Sequence, residues 1–145
     1  QAPHLGGLEL TGRVIDSSTI AKFLLKEEGW GKAREVLMGK PYTLDLAVKE
    51  VANTIWRRVT LLGDISIDKA FTLLNDLLEL KKILLIIEPQ DLYLNQALKI
   101  AIENKIAIYD ALFIVQAMRK QAVFITSDEK QHEIAQRLNV KAMYI

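Results

Sequence analysis

With no cysteine and only two histidines in 145 residues, this chain has no thiolate nucleophile and no cysteine zinc site. His4 falls in a glycine-containing opening stretch and His132 in a polar helical one, so a paired-imidazole mechanism has little material. Any chemistry must rest on carboxylates, hydroxyls, lysine or arginine. Two carboxylates stand where such chemistry gathers. Asp16 closes the apolar run of V-I-D-S-S, and Asp128 follows that of F-I-T-S-D. In open parallel sheets, sites form at the carboxyl ends of strands, where loops lead into helices. The two acids share one crevice if their strands are neighbours, which the sequence leaves open.

Each acid also has a structural use. Asp at a helix start is a capping residue, and Asp128 with Gln131 has capping-box spacing. For Asp16 the adjacent Ser17 and Ser18 are alternative caps, which would free its carboxylate. Asp110 opens the apolar stretch Y-D-A-L-F-I-V-Q-A-M, where an acid is favoured by the helix dipole. Glu50 lies nearly opposite the apolar stripe of its helix, on the side of Asn53, Thr54 and Arg57, so the pattern alone reads it as a solvated side chain.

The elements that must position these acids alternate in type. Strands are expected at Arg13–Asp16, Pro41–Leu44, Ile83–Ile87, Ala122–Thr126 and Val140–Ile145. The apolar run Ile83–Ile87, closed by Pro89, reads as a strand buried on both faces. Helices are expected from Ser17 to about Lys26, over Trp30–Met38, from Asp45 to Leu62, from Ile67 to about Leu80, and over Gln90–Asn104, Tyr109–Lys120 and Ser127–Leu138. The helix from Asp45 has an apolar stripe centred between Ile55 and Val59. Strands separated by helices, with apolar strand runs, imply an α/β domain whose parallel sheet is covered on both faces. Residues 1–12, with Pro3 and three glycines, read as a flexible leader, and residues 13–145 as one domain.

Nineteen basic and eighteen acidic side chains leave a net charge of +1. No global field attracts nucleic acid, so such contact would need a local patch. No apolar stretch is long enough to span a bilayer and no signal-peptide pattern opens the chain, so a cytoplasmic protein without membrane contact is expected.

Taken in order, V-I-D-S-S on a first strand, E-V-A-N on the long helix, Y-D-A-L-F-I-V-Q-A opening a buried helix and I-T-S-D-E after a strand resemble a PIN domain. Within that family the chain is most similar to the VapC-type toxin ribonucleases, and the resemblance covers residues 13–145. It implies a parallel sheet of five strands and a metal-dependent endoribonuclease. It also implies a Mg²⁺ or Mn²⁺ site built from Asp16, Glu50, Asp110 and Asp128, with the Thr126 hydroxyl in support. The products implied carry a 5′-phosphate and a 3′-hydroxyl. Hard divalent cations take oxygen ligands, and gathered carboxylates repel one another without a cation, so the donor set suits that role. Lys22, Lys49, Arg57 and Arg58 are the basic residues placed to hold RNA, although each is more often an ordinary surface charge.

The resemblance further implies an antitoxin partner, which lays a helix into a groove of the toxin, and a homodimer. The helix from Ile67 carries Ile67, Ala70, Phe71, Leu74, Leu77 and Leu78 on one stripe, with Leu73 and Leu80 beyond it. That is wider than one core face needs, and fits either deep burial or a second chain. Three other readings compete. A receiver domain would need an adjacent acidic pair after the first strand and a late lysine, where VIDSS and FITSD stand. A DNA flap nuclease would need long insertions. A PIN scaffold that binds RNA or protein without cutting stays open.

Overall fold

The computed structural model describes residues 12–145 and, ahead of them, the backbone of two short strands, β1 (His4–Leu5) and β2 (Leu8–Glu9), paired antiparallel. The expectation of a flexible leader over residues 1–12 otherwise lies outside the described residues. From Arg13 the chain forms an α/β domain on a five-stranded parallel sheet. Its strands are β3 (Arg13–Ile15), β4 (Tyr42–Leu44), β5 (Ile86–Glu88), β6 (Val123–Thr126) and β7 (Ala142–Tyr144), in spatial order β5-β4-β3-β6-β7.

That order decides where a site can form. The chain steps outward from β3 to β4 and β5, then returns to place β6 on the other side of β3, with β7 beyond it. The direction of travel therefore reverses between β3 and β6, which pair in register Val14 with Phe124 and Ile15 with Ile125. Ligands of open α/β sheets bind at such a switch point, outside the carboxyl ends of the strands. Asp16 directly follows β3, and Asp128 lies just beyond β6. The neighbourhood that the sequence left open is present.

Side chains of consecutive strand residues face opposite sides of a sheet. Val14 and Ile15 are both fully buried, as are Val123 and Phe124, so the two central strands are covered on both faces. The helices α1 (Ser17–Leu24) and α6 (Ile108–Lys120) pack on β3 and β6. In α6 the run Ala111–Ala117 is buried without a break, as its nearly all-round apolar sequence demands. The remaining helices are α2 (Trp30–Met38), α3 (Asp45–Thr60), α4 (Ile67–Ile83), α5 (Leu94–Asn104) and α7 (Glu129–Arg137). Gly29 and Gly63 take φ of 85° and 66°, the left-handed region glycine enters without steric cost, and separate α1 from α2 and α3 from α4.

Four expectations need correction. The run Ile83–Ile87 is not a strand buried on both faces. Ile83 is the last residue of α4, and only Ile86–Glu88 is a strand, at the sheet edge with Ile86 exposed. A short apolar run looks alike as a helix end or a buried strand, and an edge position halves what the strand buries. Gln90–Asn104 is not one helix, since a 3₁₀ turn over Gln90–Tyr93 precedes α5. Ser17 and Ser18 do not cap α1, because Asp16 occupies the N-cap position and both serines are already helical. The buried side of α3 runs through Ala47, Val51 and Ile55, while Trp56 is exposed and Val59 faces α4 across an apolar groove.

Candidate active site

Asp16 is 3% exposed, and its carboxylate is held by hydroxyls. Ser18 Oγ donates to Oδ1 and Thr126 Oγ1 donates to Oδ2, both at 2.6 Å. Each hydroxyl has a second task. Ser18 Oγ accepts from the Ser127 N–H at 2.8 Å, and Thr126 Oγ1 accepts from the Asp128 N–H at 3.0 Å. Two hydroxyls thus bolt the end of β3 to the loop after β6 and fix Asp16 relative to Asp128. Burial raises the Asp16 carboxyl to about 6, against the pull of the Ser18 and Thr126 hydroxyls and a weaker one from the Thr19 N–H. The charge of Asp128 raises it further.

Asp128 is exposed and caps α7, with Oδ1 accepting from the Lys130 N–H at 2.9 Å. Capping engages one oxygen and leaves the other available. Gln131 does not complete a capping box, because the Asp128 N–H is taken by Thr126. Asp110 lies in the first turn of α6, where the dipole favours it, with Lys130 Nζ 3.4 Å from its Oδ2. Glu50 departs from its expected solvation. It is half-buried, and its carboxyl is raised by burial, offset by the Ser17 hydroxyl, then raised again by the charges of Asp16 and Asp110.

These couplings place the four acids in one electrostatic neighbourhood around the β3–β6 crevice. Among the described residues, no three acidic side chains form a ready-made metal cage. Nor, among them, does any basic side chain lie within ion-pairing distance of Asp16, Glu50 or Asp128. The donor set is wholly oxygen and carries more negative charge than the protein neutralises. Those are the conditions that fit a hard divalent cation.

The basic candidates divide. Lys49 and Arg57 are exposed on one face of α3, two turns apart, with Asn53 between them. Lys22 Nζ instead donates to the Ile145 carbonyl at 3.1 Å. Arg58 Nε donates to both carboxylate oxygens of Asp64 at 2.9 Å. Sequence reasoning missed Ser18 as a support of Asp16, since serine at a helix start reads as a cap. It also missed Lys130 beside Asp110, for which only the D-E-K run after Ser127 was a signal.

A family model described as the PIN domain matches residues 13–137. The chain is 30% identical over 122 residues to Ribonuclease VapC3 of Pyrobaculum aerophilum, covering 83% of this chain and 92% of that protein. Two solved structures share the fold. The crystal structure of PAE2754 from Pyrobaculum aerophilum has a TM-score of 0.63 at 22% identity, covering 86% of each chain. That of FitAcB from Neisseria gonorrhoeae has a TM-score of 0.59 at 15% identity, covering 90% of this chain and 96% of its own.

Proposed function

The chain belongs to the PIN-domain family, and we propose that it is a Mg²⁺- or Mn²⁺-dependent endoribonuclease acting as the toxin of a toxin–antitoxin pair. The observation that carries this reading is the buried Asp16 carboxylate at the β3–β6 switch point, held by two hydroxyls and, among the described residues, paired with no cation of the protein. Its support from relatives is the likeness to Ribonuclease VapC3 over most of both chains.

In this reading Asp16, Glu50, Asp110 and Asp128 hold the cation. When bound, it supplies charge neutralisation at the scissile phosphate and lowers the pKa of an attacking water. The protein's own groups do the rest. Ser18 and Thr126 orient Asp16 so that its two oxygens keep fixed directions. Asp128 offers the oxygen that capping leaves free. Lys130 offsets part of the charge on Asp110. Lys49 and Arg57, on the exposed face of α3, give the strand's phosphates a path past Glu50. Lys22 and Arg58, engaged by Ile145 and Asp64, serve that path less directly.

The antitoxin and a second copy of the chain belong to the same proposal. Supporting them is the apolar groove of about 270 Å³ between α3 and α4, where Trp56, Ile67 and Phe71 are more than half exposed. Among the described residues no helix is long and apolar enough to cross a membrane, which agrees with a cytoplasmic toxin. Sedimentation equilibrium showing only monomer at micromolar concentration would remove the homodimer.

The function is tested by cleavage of single-stranded RNA with Mg²⁺ or Mn²⁺, with and without EDTA. Wild type, Asp16→Asn and Asp110→Asn are compared. Expected are metal-dependent cleavage, 5′-phosphate ends and loss of activity in both variants. Metal-independent cleavage, or full activity in both variants, overturns the mechanism. Binding of RNA without cleavage would favour the silent scaffold.

A further inference from the structure

Beside the acids lies an open cleft of about 450 Å³ on the outer side of Glu50, within the size range of small-ligand sites. Its walls are the start of α1 at Ser17, the α3 residues Leu46, Lys49, Glu50 and Asn53, and Tyr109 at the head of α6. We propose that this cleft is a nucleobase subsite in which Tyr109 is the stacking platform for one unpaired base of the RNA. The proposal rests on the ribonuclease reading and names how that site would grip its substrate.

Three features point to a base. Tyr109 is 58% exposed although it adjoins the most buried stretch of the molecule, Ala111–Ala117. Among the described residues no aromatic ring or cation stacks on it, so a face is open. Unpaired bases bind to such faces, which accept any base because every base has a π-surface. The charge on the wall sorts the parts of a nucleotide. Glu50 lines the cleft and, until it holds a cation, repels phosphate, whereas a neutral base is admitted. Lys49, exposed one residue before it, stands where the adjoining phosphate would leave the cleft. The exposed Asn53 amide carries both donors and an acceptor for a base edge. Position completes the case. Tyr109 directly precedes Asp110, and Glu50 feels the charges of both Asp16 and Asp110, so a base seated here sets its sugar–phosphate beside the acids.

The test uses the full chain and a short fluorescein-labelled single-stranded RNA at low salt, read by anisotropy. Tyr109→Ala should weaken binding about tenfold or more, and Tyr109→Phe should bind like wild type. Thermal unfolding of both variants should match wild type, since the ring is exposed. The same RNA carrying 5-iodouracil should, on irradiation, crosslink to the wild-type peptide containing Tyr109. Wild-type affinity in Tyr109→Ala, equal losses in the Ala and Phe variants, or crosslinks mapping away from the cleft overturn the subsite. If wild type cleaves RNA while Tyr109→Ala binds normally, only the subsite falls. If wild type neither binds nor cleaves RNA, the ribonuclease reading falls and takes the subsite with it.

Discussion

Two carboxylates at the carboxyl edge of the same sheet meet opposite treatment. Glu88, which ends β5, accepts from Tyr93 Oη at 2.7 Å and from Gln116 Nε2 at 2.9 Å, and pairs with Lys120 Nζ at 3.0 Å. Burial works to raise its carboxyl, but these donors and the charge of Lys120 outweigh it and hold the group low. Asp16, which follows β3, is held mainly by hydroxyl donors, and burial carries its carboxyl up to about 6. The protein neutralises Glu88 with its own lysine. Around Asp16 it gathers further acids instead, an arrangement that costs stability unless a cation arrives from outside. A third strand-end acid, Asp45 after β4, is tied to the fold by accepting from the Gln90 N–H at 3.0 Å. Strand-end position alone does not separate these acids: Glu88 and Asp45 are tied into the fold, whereas Asp16 is buried with further acids around it.

The sharpest way to break this contrast is cleavage by the paired variants. Loss of a group that orients a metal ligand costs about 10–100-fold, so removing the ligand in Asp16→Asn should cost at least about a hundredfold. Glu88→Gln should stay within about twofold of wild type, because its loss is one of stability. Equal losses in the two would erase the distinction. Next in size is Thr126→Val, which removes the donor to Asp16 and the acceptor for the Asp128 N–H together. Mn²⁺ titration of activity should show about 10–100-fold weaker metal use, with Thr126→Ser restoring it.

Stability should move the two sites in opposite directions. Asp16 is raised from 3.8 to about 6, so between those values the folded protein holds a proton that the unfolded chain releases. Its contribution is therefore most favourable below the unfolded value and is lost as pH rises through the folded one. In EDTA at about pH 8, urea unfolding should find Asp16→Asn more stable than wild type by about 1–3 kcal/mol, a gain that fades towards about pH 4. Glu88, held low, contributes stability above its unfolded value that is lost as pH falls through its folded one. Glu88→Gln should be less stable at about pH 8 by about 1–3 kcal/mol. The smallest effect belongs to Lys130→Ala. Freeing Asp110 of a neighbouring ammonium should tighten Mn²⁺ use by about two- to fivefold at low salt, and less at high salt.

How much of this was legible in the sequence follows from the range of each interaction. Asp16 and Asp128 were visible because a strand ending in an acid before a helix is a local pattern. That β3 and β6 are neighbours was not, because parallel pairing across more than a hundred residues leaves no local trace. The same limit hid the Ile145 partner of Lys22, whereas Asp64, six residues beyond Arg58, reaches it only through the turn at Gly63. Glu50 read as solvated because helical periodicity reports only the face turned to the core, whereas Glu50 is half-buried and feels Ser17, Asp16 and Asp110, which are distant in sequence. The run Ile83–Ile87 misled because the end of α4 and an edge strand share one apolar stretch.

On the proposed function, the acids around Asp16 form a binding site for a divalent cation. Calorimetric titration of the metal-free protein with Mn²⁺ at about pH 6, in two buffers of different ionisation enthalpy, tests it most directly. Wild type should bind Mn²⁺ and release protons on doing so, since a cation at Asp16 must displace the proton that burial retains there. Asp16→Asn should lose both the binding and the proton release. Equal Mn²⁺ binding by the two proteins, or none by wild type, would contradict the account.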